Sequence, residues 1–80
     1  MYNVYVLQSL KLNSRYVGLT NNLDRRIEEH NSGRNRSTKG FLIWKLIHFE
    51  KFENRIEARK REKYLKSGVG RAYLEKILKE

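Results

Sequence analysis

Residues 2–8, Tyr-Asn-Val-Tyr-Val-Leu-Gln, carry apolar side chains on both alternating sets of a strand: Tyr2, Val4 and Val6 on one, Tyr5 and Leu7 on the other. A strand apolar on both faces belongs in the interior of its sheet, so this run is predicted to be a central strand. A second β-prone run over 14–19 contains Arg15-Tyr16-Val17-Gly18. The polar Lys11-Leu12-Asn13-Ser14 between the two runs makes them an antiparallel hairpin. Tyr5 and Tyr16, eleven residues apart, then stand on neighbouring strands. A third run, 43–52, is rich in aromatic and branched side chains and completes the smallest stable sheet. His48 falls inside it and reads as structural.

Helical periodicity takes over in three places. The first helix is predicted over 22–32, with Asn21 or Asn22 as N-cap, Asp24 in the first turn and Gly33 closing it in the left-handed conformation. On a helical wheel Leu23 and Ile27 form the buried stripe, and Arg26 and His30, an i,i+4 pair, border it. Arg26 and His30 either reach back over the sheet or merely cover the edge of the core; Asp24, Arg25, Glu28 and Glu29 turn further toward solvent. The second helix, 55–66, has Asn54 as its cap and Ser67-Gly68 as its stop. Ala58 and Leu65 face inward, and Glu62 falls between them. It is the one acid among Arg59, Lys60, Arg61, Lys63 and Lys66. That carboxylate is either available to a cation or paired with Lys66 at i,i+4. A last helix over 70–78 presents Tyr73, Leu74, Ile77 and Leu78 to the sheet.

With 80 residues and 39% hydrophobic side chains, the expectation is one small domain spanning 1–80. There is no cysteine, which excludes disulfides and thiolate metal sites and fits a reducing compartment. No basic flank precedes an apolar run at the N-terminus, and no apolar run approaches the roughly 18 residues that span a membrane. The expected location is the cytoplasm.

Charge narrows the partners. Eighteen Lys+Arg against nine Asp+Glu give a formal net charge of +9, which makes nucleic acid, DNA or RNA, the first partner to consider. No segment pairs a broad apolar face with its basic residues, so a membrane surface is not expected. The polar stretch 33–40, Gly-Arg-Asn-Arg-Ser-Thr-Lys-Gly, reads as a loop suited to phosphates. Arg34, Arg36 and Lys39 from that loop, with Lys66 from the second helix, are the candidate nucleic-acid contacts.

Asn3-Val4-Tyr5 and Tyr16-Val17-Gly18 together resemble the paired signature of the GIY-YIG nuclease family. The order Tyr5, Tyr16, Arg26, His30, Glu62 is similar to the series of site residues in that family, and the stretch from Glu57 to Lys66 resembles its metal-site helix. The likeness covers almost the whole chain and is greatest to small members that resemble the nuclease module of bacterial excision repair. It implies an α+β fold with a three-stranded antiparallel sheet flanked by helices. It also implies one Mg²⁺ or Mn²⁺ ion held by Glu62, transition-state charge met by Arg26, and water positioned or deprotonated by Tyr5 or Tyr16, with His30 relaying a proton or orienting a phosphate. A tyrosine base needs help, since its ordinary pKa is about 10. Asn3 stands where the signature has its first glycine. Leu19 stands where repair-type members often carry lysine, so that charge is either missing here or supplied by Lys39, Lys66 or another residue.

The expected function is therefore a metal-dependent endonuclease or nickase acting on DNA, selective for structure rather than sequence. A repair role rests on the resemblance alone. The alternatives are a nucleic-acid-binding module with weak or no catalysis that acts with a partner, and a basic accessory protein of a ribonucleoprotein particle.

Overall fold

The computed structural model describes residues 1–9, 14–32 and 44–78. These form β1 (Tyr2–Ser9), β2 (Arg15–Thr20), α1 (Leu23–Asn31), β3 (Trp44–Phe52), α2 (Arg55–Lys66) and α3 (Gly68–Leu78). The sheet is antiparallel throughout, in the order β2-β1-β3. The central place of β1 follows from its composition: Val4, Tyr5, Val6 and Leu7 are all completely buried, which only a strand covered on both faces allows.

Alternation along β1 divides the core in two. Val4 and Val6 pack with Ala58, Leu65 and Leu74 of the α2–α3 layer. Tyr5 and Leu7 pack with Trp44 and, at the margin, with Tyr16, Leu23, Ile27 and Leu46 on the α1 side. A β-bulge makes this division work on β3. Val6 is opposite His48 but Leu7 is opposite Leu46, so Ile47 is the extra residue. The bulge reverses the alternation, sending Trp44 and Leu46 toward α1 while Ile47 and Phe52 pack on the other side.

Asn caps start the first two helices. Asn22 accepts from the Arg25 backbone N–H at 3.2 Å and Asn54 from that of Glu57 at 2.9 Å, each satisfying a donor the helix itself leaves open. A serine follows each of them. The first helix stops at Asn31, with Ser32 in right-handed conformation donating its backbone N–H to Glu28; Gly33 lies outside the described residues. Ser67 closes α2 and also opens α3, its hydroxyl accepting from the Gly70 N–H at 3.2 Å. Gly68 is thus the first residue of α3, and the stop read at Ser67-Gly68 falls on Ser67. The glycine that matters here is Gly70: a Cβ there would lie 2.5 Å from Leu65 Cα and run into the Tyr64 carbonyl oxygen, so only glycine allows α3 to approach α2 this closely. On α3, Leu74 is buried while Ile77 is exposed, against the predicted four-residue stripe. Among the described residues, no helix is long and apolar enough to cross a membrane.

Candidate active site

The register of the hairpin brings the two tyrosines together diagonally. Tyr5 is opposite Gly18 and Tyr16 is opposite Leu7, so both rings stand on the α1 side, their centroids 6.2 Å apart. The absent side chain of Gly18 leaves room for the Tyr5 ring. A Cβ at Gly18 would sit 2.5 Å from Tyr5 Cζ and closer still to its hydroxyl.

Above these rings α1 delivers His30. This corrects the helical-wheel reading, in which Leu23 and Ile27 were the buried stripe and His30 bordered it: His30 is completely buried, and the two aliphatic residues are half-buried. A buried imidazole needs polar partners, and Tyr5 Oη lies 2.9 Å from His30 Nε2. The imidazole sits between the tyrosines, 4.7 Å from the Tyr16 ring centroid and 5.8 Å from that of Tyr5. Trp44 closes the cluster at 6.4 Å from Tyr16.

The next residue fixes where α1 ends. Asn31 accepts from the Trp44 backbone N–H at 2.7 Å and donates to the Trp44 carbonyl at 3.2 Å, pairing with the start of β3 as another strand would. An exposed asparagine at a helix end gave no sign of this in the sequence, because its partner is supplied by a distant strand.

Electrostatics sets the protonation of the pair. Burial pushes the Tyr5 phenol up to about 12; a hydrogen bond and charge from Arg26 oppose this, while Tyr16 and Glu62 add to it. Burial, and next the positive charge of Arg26, hold His30 below the ordinary histidine value of 6.5. At neutral pH the contact joins a neutral phenol to a neutral imidazole. Arg26 is itself steered by Glu29, which accepts from its guanidinium at 3.0 Å. Glu29 is consequently half-buried rather than directed at solvent.

Glu62 approaches from α2, on the other side of the sheet, near enough for its charge to act on Tyr5. Its side chain is only 7% exposed. One carboxylate oxygen accepts from Arg59 at 3.1 Å and the other from Lys66 at 3.0 Å, so the inward placement and the Lys66 pairing weighed from the sequence both hold. Among the described residues, no group of three or more His, Cys, Asp or Glu side chains is placed to enclose an ion. The donor set suits a cation that takes one carboxylate and fills its remaining positions with water and phosphate, as Mg²⁺ does. Each oxygen keeps a second lone pair, and both cationic partners are more than half exposed and free to swing outward. Lys66, a candidate nucleic-acid contact, therefore also serves Glu62; Arg34, Arg36 and Lys39 lie outside the described residues.

Two other features went unread. Arg61, one cation in a basic run, grips Glu50 of β3 with two hydrogen bonds of 2.8 and 3.2 Å and lies 4.9 Å from the ring centroids of both Tyr64 and Tyr73. His48 also holds Glu50, at 2.8 Å, in keeping with its structural reading. Asn3, in the place of the signature glycine, buries an Oδ1 that has no hydrogen-bond partner among the described residues.

The sequence model of the GIY-YIG catalytic domain matches residues 1–76. The chain belongs to the GIY-YIG family. Among its relatives, a UPF0213 protein of Clostridium perfringens is 48% identical over 67 residues, covering 82% of this chain and 71% of that protein. A UPF0213 protein of Natronomonas pharaonis is 37% identical over 76 residues, covering 94% and 87%. The solution NMR structure of a UPF0213 protein from Bacillus halodurans superposes with a TM-score of 0.58 at 31% identity, covering 96% of this chain and 85% of that one. The α+β architecture is thus that of a solved UPF0213 relative.

Proposed function

We propose that this GIY-YIG protein is a metal-dependent endonuclease that nicks DNA with structural rather than sequence selectivity. The observation that carries the reading is the buried Tyr5–His30 contact with the Arg26 cation beside it. Tyr5, once substrate binding uncovers its hydroxyl, would hold the attacking water and take its proton as the phenolic proton passes to His30 Nε2, so no free phenolate has to form at neutral pH. The neutral state of His30 is what lets it accept. Arg26 faces the charge that grows on the phosphate oxygens, where a preorganised cation is worth most. Tyr16 packs against His30 and keeps its ring in place. Glu62 would hold the divalent ion, Mg²⁺ or Mn²⁺, which supplies charge stabilisation to the phosphate and the leaving oxygen. Lys66 and the net charge of +9 favour a polyanionic substrate.

Purified wild type and Glu62→Ala, compared on supercoiled plasmid and a branched oligonucleotide with Mg²⁺, Mn²⁺ or chelator, test this. Nicking by wild type alone, and only with metal, is expected. No cutting under any condition, or the same cutting by both proteins, would leave a basic nucleic-acid-binding module.

A further inference from the structure

Away from the tyrosines, a cleft of about 530 Å³ runs between the outer edge of β2 and the α2–α3 layer. Its apolar floor is the partly exposed Val17, backed by the buried Leu65 and Leu74 of the core. Its rim is cationic, and the cations come from three different elements: Arg15 of β2, Lys66 of α2 and Arg71 of α3. Among the described residues, Glu75 is the one acid on this rim. It is spent on Arg15, which donates to it at 2.8 Å across the mouth of the cleft. Because β2 has no second neighbour in the sheet among the described residues, alternate backbone N–H and C=O groups face outward here and can bond a planar polar edge.

We infer that this cleft binds one unpaired nucleotide of the substrate strand, its base on the apolar floor and its phosphate among Arg15, Lys66 and Arg71. This rests on the nuclease reading, because two residues join the cleft to the candidate site. Tyr16 borders the cleft and packs its ring on His30; Lys66 lines the cleft and bonds Glu62. A base inside a duplex is covered on both faces and cannot reach a floor of this kind. An unpaired base can, and apolar or aromatic surface beside a basic groove is how single strands are commonly held. The cleft therefore selects DNA with a single-stranded nucleotide next to the cut. Arg15 offers a phosphate the donors it now gives to Glu75, whose side chain is 73% exposed and displaceable.

Fluorescence anisotropy in chelator, with a blunt duplex and the same duplex bearing a short single-stranded tail, reads this without requiring cleavage. Wild type should prefer the tailed duplex roughly tenfold. Arg71→Glu should lose that preference while still binding the blunt duplex, and Glu75→Gln, which frees Arg15, should tighten tailed binding severalfold. Both positions are exposed, and amide spectra establish that the variants are folded. Addition of the tailed duplex should shift the backbone amides of Val17, Leu65 and Leu74. Equal binding of the two duplexes by wild type, an unchanged preference in Arg71→Glu, or weaker tailed binding by Glu75→Gln would overturn the assignment. Free dAMP should compete only weakly; displacement of the tail at matching concentrations would make the cleft a mononucleotide site and overturn the strand reading. Metal-dependent nicking with no tail preference would remove the cleft and leave the nuclease, and tail capture by a protein that never cuts would do the reverse.

Discussion

Tyr5 Oη and His30 Nε2 meet at 2.9 Å, although 25 residues separate them and each side chain is completely buried. A central strand and the helix that crosses it have been brought together around one polar contact, in a layer that is otherwise mostly aromatic and aliphatic. Tyr5→Phe keeps the ring and removes only this contact. It should lower the nicking rate by about 10²- to 10⁴-fold, the range for a lost proton-transfer group. Stability should fall by about 1–2 kcal/mol, because His30 loses a buried partner. Plasmid nicking and urea denaturation measure the two separately; an active, destabilised variant would make Tyr5 structural only.

The depressed pKa of His30 predicts two pH dependences of the same sign. Cutting requires the neutral imidazole, so activity should persist at pH 6.5, the ordinary histidine value, and decline only below it, as the lowered folded pKa is passed. For stability, the unfolded chain protonates His30 near 6.5 while the folded chain resists. The contribution is complete above 6.5, begins to be lost as pH falls through that value, and is fully lost below the folded pKa. Urea melts from pH 8 downward should show this step in wild type and not in His30→Gln. Glu50 adds a separate loss lower down. Burial pushes its carboxyl up, but hydrogen bonds from Arg61 and His48 outweigh burial and hold it below its ordinary 4.5.

Gly18→Ala sets two effects against each other. Within a strand, alanine is favoured over glycine by about 0.5–1 kcal/mol of backbone entropy. The added methyl, however, would overlap the phenol of Tyr5, a side chain with no room to retreat, and overpacking of this kind costs about 1–3 kcal/mol. The collision should win. Urea denaturation is expected to show net destabilisation, with nicking reduced further because the hydroxyl is pushed off His30. A stabilised, fully active Gly18→Ala would mean that Tyr5 can shift without consequence.

The parts of the fold and candidate site that were legible in the sequence are those decided by neighbours along the chain. Val4 to Leu7, apolar on both alternating sets, placed β1 at the centre, and Asn22 and Asn54 capped helices as their side-chain chemistry dictates. Tyr5 and Tyr16 were readable as a pair because a hairpin keeps sequence spacing and spatial register together. His30 was placed too far out because a helical wheel weighs each side chain against water, whereas its burial depends on a hydroxyl from a strand 25 residues earlier. The bulge at Ile47 left no alternation to read, since it is the break in alternation that turns Trp44 and Leu46 toward α1. At Ser67-Gly68 the familiar glycine stop hid the capping hydroxyl one residue before it.

Arg61 is the sharpest case of a residue whose role lies in tertiary contact. Its side chain is 28% exposed and that of Glu50 22%, so the pair is only partly screened and its loss should be felt. Arg61→Lys keeps the charge and thus the attraction to DNA. It gives up the two-pronged grip on Glu50 and the flat guanidinium that lies against Tyr64 and Tyr73, neither of which an ammonium reproduces. The expected loss is about 2 kcal/mol, within the range for hydrogen bonds to charged groups. For a domain of this size that is a drop in melting temperature of about 8–16 °C. Nicking by the folded variant and its affinity for DNA should stay close to wild type, because Arg61 touches none of Tyr5, Tyr16, Arg26 or His30 in the contacts described. Thermal denaturation beside a nicking assay at low temperature decides it. An unchanged melting temperature would mean the Glu50 network is ornamental, and lost nicking at full stability would place Arg61 on the substrate rather than in the frame.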